Sequence, residues 1–512
     1  MSFETPDFSL ALPEIWLLGA ICVVLIVDLF VRGSRRSVTF FLTQAVLLVT
    51  AALAITTQWG VTETTFSGHY VVDPLAAMLK ATLALLVVLA LAYTRPYLEA
   101  RGLLQGEVYL LALFATLGML IIASGGSLLT LYLGLEMLSL SLYALVAYHR
   151  DSRQAAEAAM KYFVLGALAS GILLYGMSMV YGGAASLELA VIAEAAASEE
   201  PPLLLLFGMS FMLVGVAFKL GAAPFHAWVP DVYQGAPTPV TLFISTAPKV
   251  AAVALFLRLL VDGLGPLHET LQPMLLILAA VSLLLGNLTA IMQTNLKRML
   301  AYSGIAHAGF IVLALAAGTE AGHAAALFYV IAYGIMAAGA FGLIIVLSSA
   351  GTEAEQIADY RGLNERHPIL AGVLLLLMIS MTGIPGTIGF YAKYLVLKAA
   401  VEADLIAMAV LAVIAAVIGA FYYLRVLKVA YFDRPEVPPE GSQKPTGPNE
   451  GSVGEGEGAT PSRPDGAAGT VLVPGASLPI RALLVVNGAA VLVLGIFPER
   501  LIALCQSVLG AG

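Results

Sequence analysis

Residues 213–240 read LVGVAFKLGAAPFHAWVPDVYQGAPTPV, and residues 378–400 read MISMTGIPGTIGFYAKYLVLKAA. Each starts as an apolar helix and is then cut by glycine and proline: Gly221, Pro224, Pro230, Gly235, Pro237 and Pro239 in the first, Gly383, Pro385, Gly386 and Gly389 in the second. Each carries a lysine beside the cut, Lys219 and Lys393. Pro224 has no N–H to give the carbonyl of Leu220, so a polar backbone group is left free just after Lys219. Irregular backbone at membrane depth is tolerated only where it faces protein or water. Two ordinary proline kinks are the competing reading, and the matched lysines weigh against it.

That these cuts lie at membrane depth follows from the rest of the chain. Of 512 residues 60% are hydrophobic and only 11% charged, and the mean hydropathy is +0.92. Continuous apolar runs of about twenty residues recur from end to end, the length a helix needs to cross a bilayer. A spanning β-barrel would instead show shorter, alternating segments. The pattern predicts an all-α polytopic membrane protein with about fourteen transmembrane helices. The seventh, at roughly 203–233, and the twelfth, at roughly 368–400, are discontinuous, whereas the eighth runs unbroken over roughly 238–261. The two cuts lie five crossings apart, which predicts two five-helix repeats, helices 4–8 and 9–13. Five is odd, so the copies are inverted across the membrane. The chain then divides into three N-terminal helices (1–106), a first repeat (107–261), a second (272–431), a connection (432–478) and a last helix (479–512).

Charge orients the bundle. Loops after odd-numbered helices hold Arg32, Arg35, Arg36, Arg101, Arg150, Lys297, Arg298, Arg361 and Arg366, whereas the opposite loops hold Glu63, Asp73, Glu188, Glu199, Glu200 and Glu320. Basic residues collect in short cytoplasmic loops, so both termini face the periplasm. The start, MSFETPDF, lacks a positive segment before its apolar run, and no cleavable signal is expected. Between roughly 434 and 478 the chain is rich in Gly, Pro, Glu and Ser with no apolar period, which predicts a disordered cytoplasmic linker; a functional acidic segment is the alternative. Cys22 and Cys505 show no metal or redox spacing and read as buried small hydrophobes.

Charge set this deep in apolar sequence is costly and marks a polar route. Glu136, in TLYLGLEMLSLSLYAL, is the expected counter-charge for Lys219. A buried lysine gives up its proton readily and a nearby carboxylate restores the charged form, so such a pair can hold and release a proton. Lys249, after Pro248 in FISTAPKVAAVA, is the next station, and Lys393 the last. His307, in AYSGIAHAGF, holds in helix ten the repeat position of Glu136 and reads as a relay, with a structural hydrogen-bonding role as its alternative. Lys161 either joins the route or snorkels to the surface behind Arg153 and Glu157. Lys80 has no acid near it in sequence except Asp73, and His226 reads as a cap for freed carbonyls. No GxGxxG after a strand, Walker loop, cysteine cluster or HExxH is present. Electron transfer linked to this chain is therefore expected in other subunits, and nothing points to a nucleic-acid partner.

These residues carry a resemblance. FKLGAAPFHAWVPDVYQGAPTPVTLFISTAPKVA resembles the signature of the proton-conducting membrane subunits of NADH:quinone oxidoreductase, respiratory complex I, a family shared with multisubunit cation/proton antiporters. VPDVYQGAPTPVT, LKRMLAYSGIAHAGF and GIPGTIGFYAKYLVL are most similar to its subunit N, the counterpart of mitochondrial NADH dehydrogenase subunit 2. The resemblance implies a proton-translocating subunit of a bacterial inner membrane. Glu136 and Lys219 would be its channel pair, Lys249 its central lysine, His307 its second-half relay and Lys393 its terminal lysine. FMN and iron-sulfur clusters would belong to partner subunits, this chain holding no cofactor, and subunits M and K would flank it among the lipids. An antiporter subunit, exchanging Na⁺ or K⁺ for protons, is the alternative.

A reporter fused to either terminus is expected to be reachable only from the periplasm, and one inserted at Gly451 only from the cytoplasm. Equal accessibility of all three in intact and permeabilised cells would refute the fourteen-helix count.

Overall fold

The computed structural model of the chain describes residues 5–31, 36–349, 351–434 and 477–510. The linker expected at 434–478 lies almost wholly outside the described residues, as do Arg32 and Arg35. The first helices are α1 (Leu12–Phe30), α2 (Ser37–Gln58), α3 (Pro74–Ala100), α4 (Glu107–Ala123), α5 (Leu128–Val146), α6 (Arg153–Ala184) and α7 (Leu189–Ala196). Then come α8 (Leu203–Leu220), α9 (Trp228–Gly235), α10 (Thr238–Ser245), α11 (Ala247–Phe256), α12 (His268–Ile291), α13 (Leu296–Ala316) and α14 (Glu320–Leu347). The last are α15 (Leu363–Arg366), α16 (Pro368–Thr382), α17 (Ile388–Glu402), α18 (Ile406–Tyr431), α19 (Leu478–Ile496) and α20 (Glu499–Ser507). Among the described residues twelve helical spans are long and apolar enough to cross a membrane, and α4 and α16 are shorter apolar helices.

The starts of many spans are written in polar caps. Side-chain oxygens of Asp73, Ser127, Ser152, Asn295 and Thr319 take the first free N–H groups of α3, α5, α6, α13 and α14. Three departures from the sequence reading have local causes. The eighth crossing is not continuous: the chain bends at Thr246 between α10 and α11, where Pro248 cannot donate to the carbonyl of Ile244, and it ends in a π-helical segment, Leu257–Gly263. The loop before α3 folds into an antiparallel hairpin, β1 (Glu63–Thr65) with β2 (Tyr70–Val72), a small exception to the all-helical plan. Cys22 is exposed on the outer face of α1, whereas Cys505 is buried.

The centre is α14, which packs against α3, α10, α11, α13, α16, α17, α19 and α20. It is almost wholly buried, as are α13 and the span Thr238–Gly263, so the chain's own polar groups lie among its own helices there. Outer helices present large apolar side chains such as Phe30, Phe41, Met160, Val417 and Phe421 outward, as lipid or a neighbouring apolar subunit requires. In lipid the pull between helices comes from close packing, so small residues mark the contacts. Gly118 of α4 and Gly134 of α5 face each other: a Cβ on Gly118 would lie 2.6 Å from the Gly134 carbonyl oxygen and 2.7 Å from the Leu138 nitrogen.

Gly118→Val should therefore force α4 from α5 at a cost of roughly 1–3 kcal/mol, seen as a lowered melting temperature of the detergent-solubilised complex. Gly171→Ala, where a Cβ meets no heavy atom within 4 Å, is the matched control and should leave that temperature unchanged. Equal melting of the two variants would contradict this packing.

Candidate functional site

The two cuts in the sequence are two breaks in the backbone, and each break seats a lysine. α8 ends at Gly221 with φ +76°, a left-handed conformation that ends a helix and favours glycine. The Leu220 carbonyl freed there accepts a hydrogen bond from the Lys249 ammonium on α11. The Phe218 carbonyl, which already accepts the Gly221 N–H, also takes the Trp228 Nε1–H at 3.0 Å, and Lys249 Nζ stands 5.7 Å from the Trp228 ring centre. Space is tight: a Cβ on Gly221 would lie 2.8 Å from Lys249 Nζ. α16 ends in the same way at Gly383, φ +91°, and the Lys393 ammonium from α17 donates to the Met381 and Thr382 carbonyls at 3.0 and 2.7 Å. A Cβ on Gly383 would lie 2.9 Å from Lys393 Cδ. The partial negative charge of a helix C-terminus suits an ammonium. The freed carbonyl at Leu220 is thus taken by Lys249 rather than by His226, whose buried Nδ1 has no partner.

Lys219, one residue before the first break, does not touch the carboxylate expected for it. Its ammonium donates to the Ser139 hydroxyl at 2.7 Å, and no carboxylate oxygen of the described residues lies within 4.0 Å of it. Glu136 sits one turn before Ser139 on α5, half-buried, with Oε1 unbonded, and its charge still reaches Lys219. The α5 group that meets the end of the lysine is thus a hydroxyl, which itself donates to the Leu135 carbonyl at 2.6 Å. His307 of α13 is buried between two hydroxyls, Tyr329 at 2.7 Å from Nδ1 and Tyr423 at 3.1 Å from Nε2, and the Ser303 and Tyr423 hydroxyls are 2.5 Å apart. Lys393 stands 5.3 Å from the Phe310 ring, one turn along α13 from His307. Lys161 is apart from all of these, at the surface, paired with Asp231 at 2.8 Å and Glu157 at 3.0 Å; Arg298 shares the same Asp231.

Sequence reasoning missed Ser139, Tyr329 and Tyr423. Hydroxyls within apolar helices are the available signal, and only a three-dimensional arrangement shows which of them meet a side chain from another helix, as Ser139 does while also donating to the Leu135 carbonyl of its own helix at 2.6 Å. It also missed the partner of Lys80. That lysine is fully buried and paired with Glu14 of α1 at 2.7 Å, a residue too far along the chain for spacing to suggest. Arg258, in the π-helical segment after α11, is buried: it bonds Asp73 at 2.8 Å, Asp262 at 2.9 Å and the Ala123 carbonyl at 3.0 Å. Burial alone would raise the Asp73 carboxyl, but the guanidinium beside it outweighs that and, with the Ala76 N–H, holds it below the usual range. Arg258, Asp73 and Asp262 line a cavity of about 490 Å³ with Glu188. Among the described residues no group of three or more His, Cys, Asp or Glu is placed to hold a metal ion.

Residues 124–419 match the family described as NADH:quinone oxidoreductase/Mrp antiporter, transmembrane. A NADH-quinone oxidoreductase subunit N of Halorhodospira halophila is 74% identical over 510 residues, spanning 100% of both chains. The fold is similar to a chain of respiratory complex I from Thermus thermophilus, with TM-score 0.77 and 30% identity over 96% of this chain and 98% of that one. It also matches a chain of the Mrp complex of Dietzia, with TM-score 0.82 and 22% identity over 98% and 97%.

Proposed function

The chain belongs to the subunit N family of NADH-quinone oxidoreductase, and from that premise we propose which of its groups carry protons. As a member it is a multi-pass, proton-translocating subunit of the membrane arm, without a redox centre, associated with other membrane subunits of the complex in the bacterial inner membrane. Electrons pass from NADH to quinone elsewhere in the complex.

Protons move along a row of buried groups: Glu136 and Lys219 on the first half, Lys249 at the centre, then His307 and Lys393. The single observation that carries this reading is the seating of Lys249 and Lys393 on carbonyls freed by the helix breaks. A seat on a helix end stabilises an ammonium, and withdrawal from it into low dielectric favours release of the proton. Each break is then a two-position holder, biased by small movements of the helix halves on either side. Lys219 and Glu136 make a third holder, in which Ser139 keeps the ammonium away from the carboxylate until the two approach. Tyr329, Tyr423 and Ser303 give His307 hydroxyl neighbours through which a proton can hop. Lys161 is held by Asp231 at the surface, where it is suited to proton entry.

Fourteen crossings, with the seventh and twelfth cut beside a lysine and the eighth bent at Thr246, form inverted repeats at 107–261 and 272–431. The first three helices (1–106) and the last (479–512) pack around them, joined through the connection at 432–478. Both termini are periplasmic, and the flanking subunits are M and K.

Lys219→Ala removes a proton holder and leaves Glu136 without its nearby positive charge. In vesicles holding the assembled complex, proton pumping should fall at least severalfold in Lys219→Ala, Glu136→Ala and Lys393→Ala. Normal rates in both Lys219→Ala and Glu136→Ala would show that this pair is structural and the route lies elsewhere.

A further inference from the structure

The three N-terminal helices hold a second buried lysine and carboxylate that the route above leaves unused. Four groups converge there from α1, α2, β2 and α3. The Lys80 ammonium, fully buried, meets Glu14 Oε1 at 2.7 Å, Gln58 Oε1 at 2.9 Å and the Tyr70 hydroxyl at 2.8 Å. The Tyr70 hydroxyl donates to the other carboxylate oxygen, Glu14 Oε2, at 2.6 Å. Gln58 is fixed in turn by its Nε2–H on the Leu10 carbonyl at 2.6 Å. The hairpin β1–β2 closes over the group, with Tyr70, Val72 and Ala11 in one small apolar cluster.

A tie between helices does not need such chemistry, because apolar packing of the same volume serves as well as a buried ion pair and often better. This pair has three features that a tie does not require. Tyr70 touches both members, so a proton has a direct and a one-hydroxyl path between them. Glu14 keeps 8% of its side chain at the surface, while Lys80 keeps none. Lys80 also lies two turns from Asp73 on α3, within reach of the Asp73 and Arg258 charges that line the 490 Å³ cavity. That cavity, with Asp73 and Arg258 in its wall, is ample for water.

We propose that Glu14 and Lys80 form a further proton-holding site of the translocation machinery, separate from the row along the helix breaks and exchanging protons with the cavity at Asp73. The step balances within the pair: a proton leaving the Lys80 ammonium for the Glu14 carboxylate gives a neutral amine and a neutral acid. The acid then yields that proton to water, and the amine takes up the next. The groups that set this exchange are Glu14 on α1, Gln58 on α2, Tyr70 on β2, Asp73 at the start of α3 and Arg258 beyond α11. The proposal rests on the proton-translocating reading given above, and its test is arranged to separate the two.

Two variants of the whole complex are compared in vesicles, by protons pumped per NADH oxidised, normalised to assembled complex. Glu14→Gln combined with Lys80→Met replaces both charges and keeps an amide for Tyr70 and Gln58. Lys80→Arg keeps the charge but does not release a proton. Lys219→Ala is the reference. The proposal expects both pair variants to assemble and to lose at least half of the proton yield. A wild-type yield in either, with Lys219→Ala impaired, overturns the Glu14–Lys80 site alone, whereas wild-type yields in all three overturn the route as well. If the double variant does not assemble, the Lys80→Arg yield decides. Failure of both to assemble marks the pair as a structural tie and overturns the proposal.

Discussion

A backbone carbonyl set free inside an apolar helix bundle must find a donor, since an unpaired buried polar group costs on the order of 1–3 kcal/mol. Two helix breaks here create such carbonyls, and the donors that meet them are lysine ammonium groups: Lys249 at Leu220, Lys393 at Met381 and Thr382. The constraint works in both directions. The carbonyl needs a donor, and an ammonium at membrane depth needs acceptors, which the negative end of a helix supplies. Glycine in the left-handed conformation lets the two approach, because at Gly221 and Gly383 a side chain would stand where the lysine lies.

The surrounding fold encloses these seats. The breaks are enclosed by the most buried helices, α10, α11, α13 and α14, while the apolar faces of outer helices take the lipid or a neighbouring subunit. Around His307 the same enclosure gathers three hydroxyls where apolar side chains would pack as well. Charged groups buried at this depth are costly, and those seated here meet backbone carbonyls or hydroxyls of other helices. Lys161 and Arg298, sharing Asp231 at the surface, show the contrast: exposed there, an ion pair is ordinary.

Much of this arrangement is legible in the amino-acid sequence. Clustered glycine and proline beside lysine in two apolar runs signal the breaks, because each proline removes a backbone donor and glycine readily takes the left-handed conformation that ends a helix. The freed carbonyl at Leu220 follows from Pro224 by the same rule. What spacing does not reveal is which side chain from another helix arrives there. Lys249 at Leu220, Lys219 on Ser139, and Glu14 against Lys80 all join residues from different helices, and their partners are chosen by packing rather than by sequence distance. The bend at Thr246 is equally hidden, since one proline in a long apolar run is often tolerated within a span.

The central claim is that a lysine seated on a freed carbonyl must let its proton go. The direct measurement is proton pumping, in vesicles and per NADH oxidised, by the assembled complex carrying Lys249→Arg. The guanidinium keeps the positive charge and a donor for the Leu220 carbonyl, but stays protonated at every working pH. The account predicts a complex that assembles and has lost most of its proton pumping. A Lys249→Arg complex that pumps at the normal rate would contradict it.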